Sequence, residues 1–151
     1  MQFIPNDGGR KSAGFTGTTG DCVARSIAIA TGKPYNEIYE RLAQGNEDQR
    51  QTKHSSRRYA SGKHTAAHGI NTRRKWFKDY MAELGFTWTP TMQIGQGCKT
   101  HLKAEELPSG RLVVAVSKHY TAFIEGVIND IYNPDRGGNR CVYGYWKLNT
   151  L

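Results

Sequence analysis

The tract between Asp21 and Gly32 most constrains the fold, because it predicts a helix that is apolar on nearly every side. Within it only Arg25 is strongly polar, and the remaining positions are mostly alanine, valine and isoleucine. Asp21 is a suitable residue to cap such a helix, and Gly32 is a suitable residue to end it. A helix without a polar face has to be covered by other elements, so we expect it to be central and buried.

Length and composition indicate one domain. A chain of 151 residues is long enough for a single core and too short for two ordinary domains. Charges of both signs are mixed through most of the chain, which argues against wholesale disorder, and the net charge of +8 favours an acidic partner. No apolar run approaches the roughly 20 residues of a membrane-spanning helix, and the first residues lack the features of a signal peptide. We therefore predict a cytoplasmic protein without membrane contact.

Two further helices are predicted after the first. Pro34 suits the first turn of a helix that runs to about Gln44, and Thr72 suits the cap of a helix that runs through Leu84. Between these helices, residues 45–69 show no apolar period and are predicted to form a basic polar loop. Loops longer than about 12–15 residues are usually functional or disordered.

The second half of the chain has the composition of strands. A turn at Asn129-Asp130 is predicted to join two of them, although Asn-Gly would be a stronger signal. The predicted strands are β-branched or aromatic and lie at residues 112–116, 120–128, 131–133 and 141–146. Helices followed by strands predict an α+β fold, a single domain over residues 1–151 with N-terminal helices packed on a C-terminal antiparallel sheet.

The three cysteines, Cys22, Cys98 and Cys141, include no closely spaced pair. An odd count with such separations is a poor disulfide framework and a poor zinc site. We therefore expect free thiols in a reducing cytoplasm, with Cys98 and Cys141 structural or exposed.

Cys22 has the position of a nucleophile, since it opens the predicted central helix. The free N–H groups and the dipole at a helix N-terminus stabilise a thiolate, and the N–H of Cys22 itself can donate to an oxyanion. His119 heads an apolar strand, and the turn at Asn129-Asp130 would place Asn133 on the strand beside it. A histidine next to a thiol can take its proton, and a third polar group can hold the imidazole. Each residue alone has an ordinary structural interpretation, but together they predict a cysteine-dependent acyl-transfer enzyme.

The segment around Cys22, the strand that starts at His119 and the pair Asn133-Pro134 resemble the papain-like cysteine peptidase superfamily. The similarity is greatest to small bacterial and phage members and to bacteriocin-processing peptidases. Residues 20–27 and His119-Tyr120 also resemble, more weakly, the ovarian-tumour deubiquitinases. The resemblance implies a papain-like fold and a cysteine protease that hydrolyses peptide or isopeptide bonds through a thioester acyl-enzyme, without a cofactor. Cys22 would be the nucleophile, His119 the base and then the acid, and Asn133 the orienting residue, in a bacterial cell or phage-infected host.

The sequence departs from these families at two places. Thr16 stands six residues before the cysteine, where papain-like enzymes have the glutamine of the oxyanion hole, and Thr19 stands where the deubiquitinases have an aspartate. Thr16 and Thr19 are therefore candidate oxyanion residues, with Thr18 and Asn6 as substitutes. The third catalytic residue is Asn instead of the Asp of the bacteriocin-processing type. Asp130 or Asp135 would be the partner of His119 if the predicted turn lay a few residues away.

A basic tract supplies a rival interpretation. Its cations could bind an acidic segment of a protein substrate or the phosphates of a nucleic acid, and a solvated surface is the plain alternative. The candidate substrate-binding residues within it are Arg57, Arg58, Arg73 and Arg74, with Tyr59 and Trp76 nearby. The rival prediction is a non-catalytic nucleic-acid-binding or protein-binding module on the same fold. His64 and His68 have the spacing of two metal ligands on a helix, but no Glu accompanies them and Gly69 follows at once, so no metal site is predicted.

Overall fold

The computed structural model describes residues 2–17, 20–49, 62–67, 70–93 and 95–149. Over these residues three α-helices pack on one six-stranded sheet, which confirms the α+β class. The helices are α1 (Cys22–Thr31), α2 (Tyr35–Asp48) and α3 (Lys75–Glu83). The strands are β1 (Phe3–Pro5), β2 (Phe86–Pro90), β3 (Arg111–Val116), β4 (His119–Ile124), β5 (Val127–Asp130) and β6 (Val142–Leu148). No helix within these ranges has both the length and the apolar surface needed to cross a bilayer.

The sheet has the order β1-β5-β4-β3-β6-β2. Its neighbouring strands are antiparallel, except that β1 pairs with β5 in parallel. The sheet is therefore mixed, whereas the sequence predicted an antiparallel sheet from the second half of the chain alone. The parallel pair arises because β1 comes from an N-terminal segment that was not predicted as a strand. Strand β2 was not predicted either, but it pairs antiparallel with β6.

The hairpin between β4 and β5 turns earlier than predicted. Glu125 and Gly126 form its two-residue loop, and both have positive φ angles, 49° and 80°. Positive φ at both central residues is typical of the type I′ turn, whose twist matches that of the flanking strands. The predicted turn at Asn129-Asp130 is wrong, since both residues lie in β5. This shift of four residues decides which side chain faces His119.

Helix α1 is central and buried, as its sequence predicts. Every residue from Val23 to Ala30 is buried, and the helix packs against α2 and strands β3, β4 and β5. Gly32 ends it in the left-handed conformation. The guanidinium of Arg111 donates to the carbonyls of Ile29 and Ala30, at 2.8 and 2.6 Å, and so joins the C-terminal end of α1 to the start of β3.

Helix α2 extends to Asp48, so the first residues of the predicted loop 45–69 are helical. The extension is stabilised by packing. Gly45 lies so close to Trp76 that a Cβ atom there would fall 2.4 Å from the indole ring, and the amide of Asn46 donates to the carbonyl of Lys63 at 3.0 Å. Helix α3 begins later than predicted, at Lys75, with Arg74 at its N-cap position.

Cys98 and Cys141 form a disulfide, so the prediction of free thiols is wrong for both. They are 43 positions apart in sequence, but backbone pairing brings them together: the N–H of Val142 donates to the carbonyl of Thr100 at 2.8 Å. Cys141 directly precedes β6, so the disulfide links this strand to the segment that contains the buried side chain of Leu102. Cys22 is the one free cysteine of the chain.

Candidate active site

His119, the first residue of β4, is hydrogen-bonded to Asp130, the last residue of β5. The distance between His119 Nε2 and Asp130 Oδ2 is 2.7 Å, and the two side chains are only 7% and 4% exposed. Thr121 donates its hydroxyl to the same carboxylate oxygen at 2.7 Å, and the N–H of Ile131 donates to the other oxygen at 2.7 Å. The carboxylate is therefore fixed from both sides and holds the imidazole in one orientation.

Strand register explains this placement. Ala122 pairs with Asn129, so the next pair along the ladder sets Thr121 beside Asp130. Since alternate residues of a strand share one face, Thr121 and His119 both lie on the face that carries Asp130. The Glu125-Gly126 turn is what fixes this register.

The structure does not bring Asn133 to the imidazole. Its side-chain oxygen accepts the N–H of Asp135 at 3.1 Å, and Asp135 in turn accepts the N–H of Gly137 at 3.0 Å. Both residues therefore stabilise the turn that follows β5, and the predicted placement of Asn133 beside His119 is wrong. Asp130, one of the two alternatives for the third residue, occupies that place because the hairpin turn lies earlier in the chain.

Cys22 is the first residue of α1, half-buried and packed against the apolar core that the helices share with the sheet. Its side chain is adjacent to His119, which it affects both as a hydrogen-bonding partner and as a charge. Because Nε2 of the imidazole is occupied by Asp130, Nδ1 is the ring nitrogen available to the sulfur. The structure therefore brings the side chains of Cys22, His119 and Asp130 together.

The environment of His119 favours the imidazolium. Burial, the largest influence, lowers the pKa of His119, but hydrogen bonds to Asp130 and Cys22 and the negative charge of both raise it more. The net effect raises the pKa from 6.5 to about 9. His119 is therefore protonated at neutral pH and can form an ion pair with a thiolate.

A buried ion-pair network supports the site from the helix side. Asp21 is 2% exposed, and it accepts hydrogen bonds from Tyr35 and Arg25 and pairs with Arg10 at 3.0 Å. The same guanidinium of Arg25 lies 3.8 Å from Asp130. Arg25 therefore stands between two buried carboxylates, of which one orients His119.

This network replaces the predicted cap. The side chain of Asp21 makes no capping hydrogen bond to α1, because it is occupied by these cations and by Tyr35. The spacing of Asp21 and Arg25, four residues apart, is the signal that could have indicated the pair. The contact to Asp130 had no local signal, since it depends on how α1 packs on the sheet.

Of the candidate donors to an oxyanion, the structure places the backbone N–H of Cys22 at the site but none of the predicted side chains that it describes. The N–H of Cys22 is in the first turn of α1, where amides have no acceptor within the helix. Thr16 is exposed on the preceding loop, and Thr18 and Thr19 lie outside the described residues. Asn6 uses its side chain elsewhere, donating to Asn129 at 3.1 Å and accepting from Gly8 at 2.8 Å. The amide of Cys22 is thus the donor that the structure places at the site.

The basic tract is described only in part. Arg57 and Arg58, like Tyr59 and His68, lie outside the described residues, Arg73 is exposed and Arg74 is half-buried. Trp76 does not offer a free stacking surface, since its indole N–H donates to Gln49 at 2.8 Å and its ring packs against Gly45. Binding of nucleic acid through this tract therefore stays a prediction. Among the described residues no three potential ligands converge on a metal position.

Comparison with protein-family models, with curated proteins and with solved structures finds no match to this chain. Its function is therefore inferred from the geometry of the Cys22–His119–Asp130 site.

Proposed function

We propose that the protein is a cysteine-dependent hydrolase of peptide or isopeptide bonds, with Cys22, His119 and Asp130 as its catalytic triad. The observation that carries the proposal is the position of His119, buried between a thiol at a helix N-terminus and a fixed carboxylate. The imidazole has a pKa of about 9 because of those two partners. Such an arrangement activates a thiol and keeps a proton ready for a leaving group.

The reaction would proceed in two steps. In the first, the sulfur of Cys22 attacks the substrate carbonyl carbon, and the N–H of Cys22 stabilises the oxyanion. His119 gives its proton to the leaving nitrogen, the C–N bond breaks and a thioester forms. In the second step His119 takes a proton from water, the hydroxide attacks the thioester, and the C–S bond breaks to restore the thiolate and imidazolium.

Asp130 strengthens this chemistry compared with the predicted Asn133. A carboxylate stabilises the imidazolium that an amide can only orient. Its position on the strand next to His119 also supports the proposal of a papain-like arrangement, with a cysteine at the start of the central helix and a histidine at the start of a strand.

A cytoplasmic location stays a prediction. The disulfide between Cys98 and Cys141 is typical of oxidising compartments and is rare in the cytosol. Alkylation of the protein in intact cells, followed by non-reducing electrophoresis, would show whether the pair is oxidised where the protein works.

Alkylation of Cys22 by iodoacetamide tests the proposed function. Without a reducing agent, Cys22 is the one cysteine free to react. We expect His119→Gln to reduce the second-order rate at neutral pH at least ~10-fold, because the thiolate is the reactive form and the imidazolium of His119 stabilises it. His101→Gln is the matched control, since His101 is also paired with a carboxylate, Glu106, at 3.2 Å. An equal rate in wild type and His119→Gln would refute the proposal, and peptide cleavage that survives Cys22→Ser would do the same.

A further inference from the structure

A polar pocket of about 580 Å³ lies directly beside His119. The imidazole forms part of its wall, together with the ring of Tyr132, whose centre lies 5.3 Å from that of His119. Besides the imidazolium of His119, its lining contains three cations, Lys118, Arg136 and Arg140, and no carboxylate among the described residues. The pocket is large enough for an amino-acid side chain or a terminal residue.

Arg140 makes this pocket more than a patch of surface charge. Its side chain is buried, 8% exposed, and is held by the carbonyls of Ser117 and Pro134 at 2.5 and 3.3 Å. In the part of the chain that the structure describes, its Nε atom is buried without a hydrogen-bond partner. A buried cation with an unpaired donor is costly, and a negative charge in the pocket that Arg140 lines would offset part of that cost.

The backbone conformation at the other two cations also indicates a functional site. Lys118 and Arg136 have φ angles of 56° and 52°, in the left-handed region that favours glycine. Each is exposed at a turn that forms the wall of the pocket. The chain therefore presents a long cationic side chain at two positions where a glycine would relieve the backbone, as is common at functional sites.

The position of the pocket relative to the thiol indicates which part of a substrate it takes. His119 lines the pocket and Cys22 does not. Nδ1, the ring nitrogen next to the sulfur, has to protonate the leaving nitrogen, so the leaving group lies against the imidazole while the acyl group is bonded to the sulfur. A pocket whose wall includes the imidazole but not the thiol therefore adjoins the leaving-group side.

We propose that the pocket binds a carboxylate on the leaving-group side of the scissile bond, which deepens and rests on the proposed hydrolase function. The carboxylate is either the side chain of an acidic residue directly after the scissile bond, or the free C-terminus of a one-residue leaving group. Both place a negative charge within reach of Lys118 and Arg136, in the pocket that Arg140 also lines. Charge-assisted hydrogen bonds of this kind are about twice as strong as neutral ones.

The test uses Cys22→Ser protein, which cannot turn over, and two pairs of small probes followed by NMR at the amides of Lys118 and Arg136. The first pair is N-acetylglutamate α-amide and N-acetylglutamine α-amide, and the second is N-acetylalanine and N-acetylalanine amide. We expect the charged member of one pair to bind about 5- to 10-fold more tightly than its neutral partner. The pair that shows the preference identifies the source of the carboxylate.

Matched variants connect the preference to the pocket. Lys118→Gln combined with Arg136→Gln should abolish it, whereas Lys147→Gln, an exposed cation on β6, should leave it unchanged. Equal affinities within both pairs, or a preference that survives the loss of both cations, would overturn the proposal. Because probe binding does not need the thiol, this result is distinguishable from failure of the Cys22 alkylation test.

Discussion

Replacing Asp130 with Asn removes one negative charge from His119 and leaves the size of the side chain nearly unchanged. The raised pKa of His119, about 9 instead of 6.5, corresponds to about 3 kcal/mol of added stability of the imidazolium, at ~1.4 kcal/mol for each pH unit. Burial opposes this effect and persists in the variant, while the hydrogen bond and charge of Asp130 are lost. We therefore expect the pKa of His119 to fall by about two pH units in Asp130→Asn.

NMR titration of the imidazole carbon and proton resonances measures this change directly. The wild type should titrate near pH 9 and Asp130→Asn about two pH units lower, near pH 7. Asn133→Ala is the matched control, because that side chain binds the N–H of Asp135 and should leave the titration of His119 unchanged. A wild-type midpoint unaffected by Asp130→Asn, or lowered by Asn133→Ala instead, would refute the assignment of Asp130.

The same pKa implies a pH dependence of stability. Because the pKa of His119 is higher in the folded protein than in the unfolded chain, the added stability is complete below pH 6.5 and is lost as pH rises through about 9. Urea unfolding should therefore show that the wild type loses up to about 3 kcal/mol across this window relative to Asp130→Asn. Parallel pH profiles of the two proteins would contradict this linkage.

Three further predictions concern the framework of the site. Arg25→Met should lower the free energy of unfolding by about 3–5 kcal/mol, since it leaves the buried carboxylates of Asp21 and Asp130 without their shared cation. Adding Asp21→Asn should recover part of this loss. A loss below about 1 kcal/mol in Arg25→Met would contradict the network. Reduction of the disulfide, which closes a loop of 43 residues, should lower the urea unfolding free energy by up to about 4 kcal/mol, and unchanged stability after reduction would argue against the bond. Gly45→Ala should destabilise the protein by about 1–3 kcal/mol, because the clash with Trp76 outweighs the gain of roughly 1 kcal/mol in helix propensity. A variant more stable than the wild type would show that the close contact between Gly45 and Trp76 is wrong.

The sequence predicted the parts of the fold that depend on local chemistry. The apolar tract after Asp21 forms the buried helix α1, Gly32 ends it, and the β-branched run after Arg111 forms β3. The strand β1 was missed because three residues of an N-terminal segment pair with β5, and a partner so distant in sequence leaves no periodic pattern. The disulfide was missed for the same reason, since only the pairing near Thr100 brings its cysteines together.

The site was predictable where position along one element decides it. Cys22 at a helix start and His119 at a strand start were found from their own segments. The identity of the residue that orients His119 depends on the register of the β4–β5 hairpin. Moving the turn along the chain shifts every residue pair of that hairpin together. Glu125-Gly126 was the available signal, because Gly is favoured in a type I′ loop, but Asn129-Asp130 competed with it. Arg25 was noticed as polar, yet its role depends on packing between α1 and the sheet.

The ultraviolet absorbance of the Cys22 thiolate tests the central claim most directly, because it reports whether the sulfur and the imidazole share their proton as an ion pair. The measurement is the difference spectrum between wild type and Cys22→Ser, with the disulfide intact so that Cys22 is the one cysteine that can ionise. We predict a thiolate band at neutral pH that disappears in His119→Gln. A band that is absent at neutral pH, or one that is independent of His119, would contradict the proposed catalytic pair.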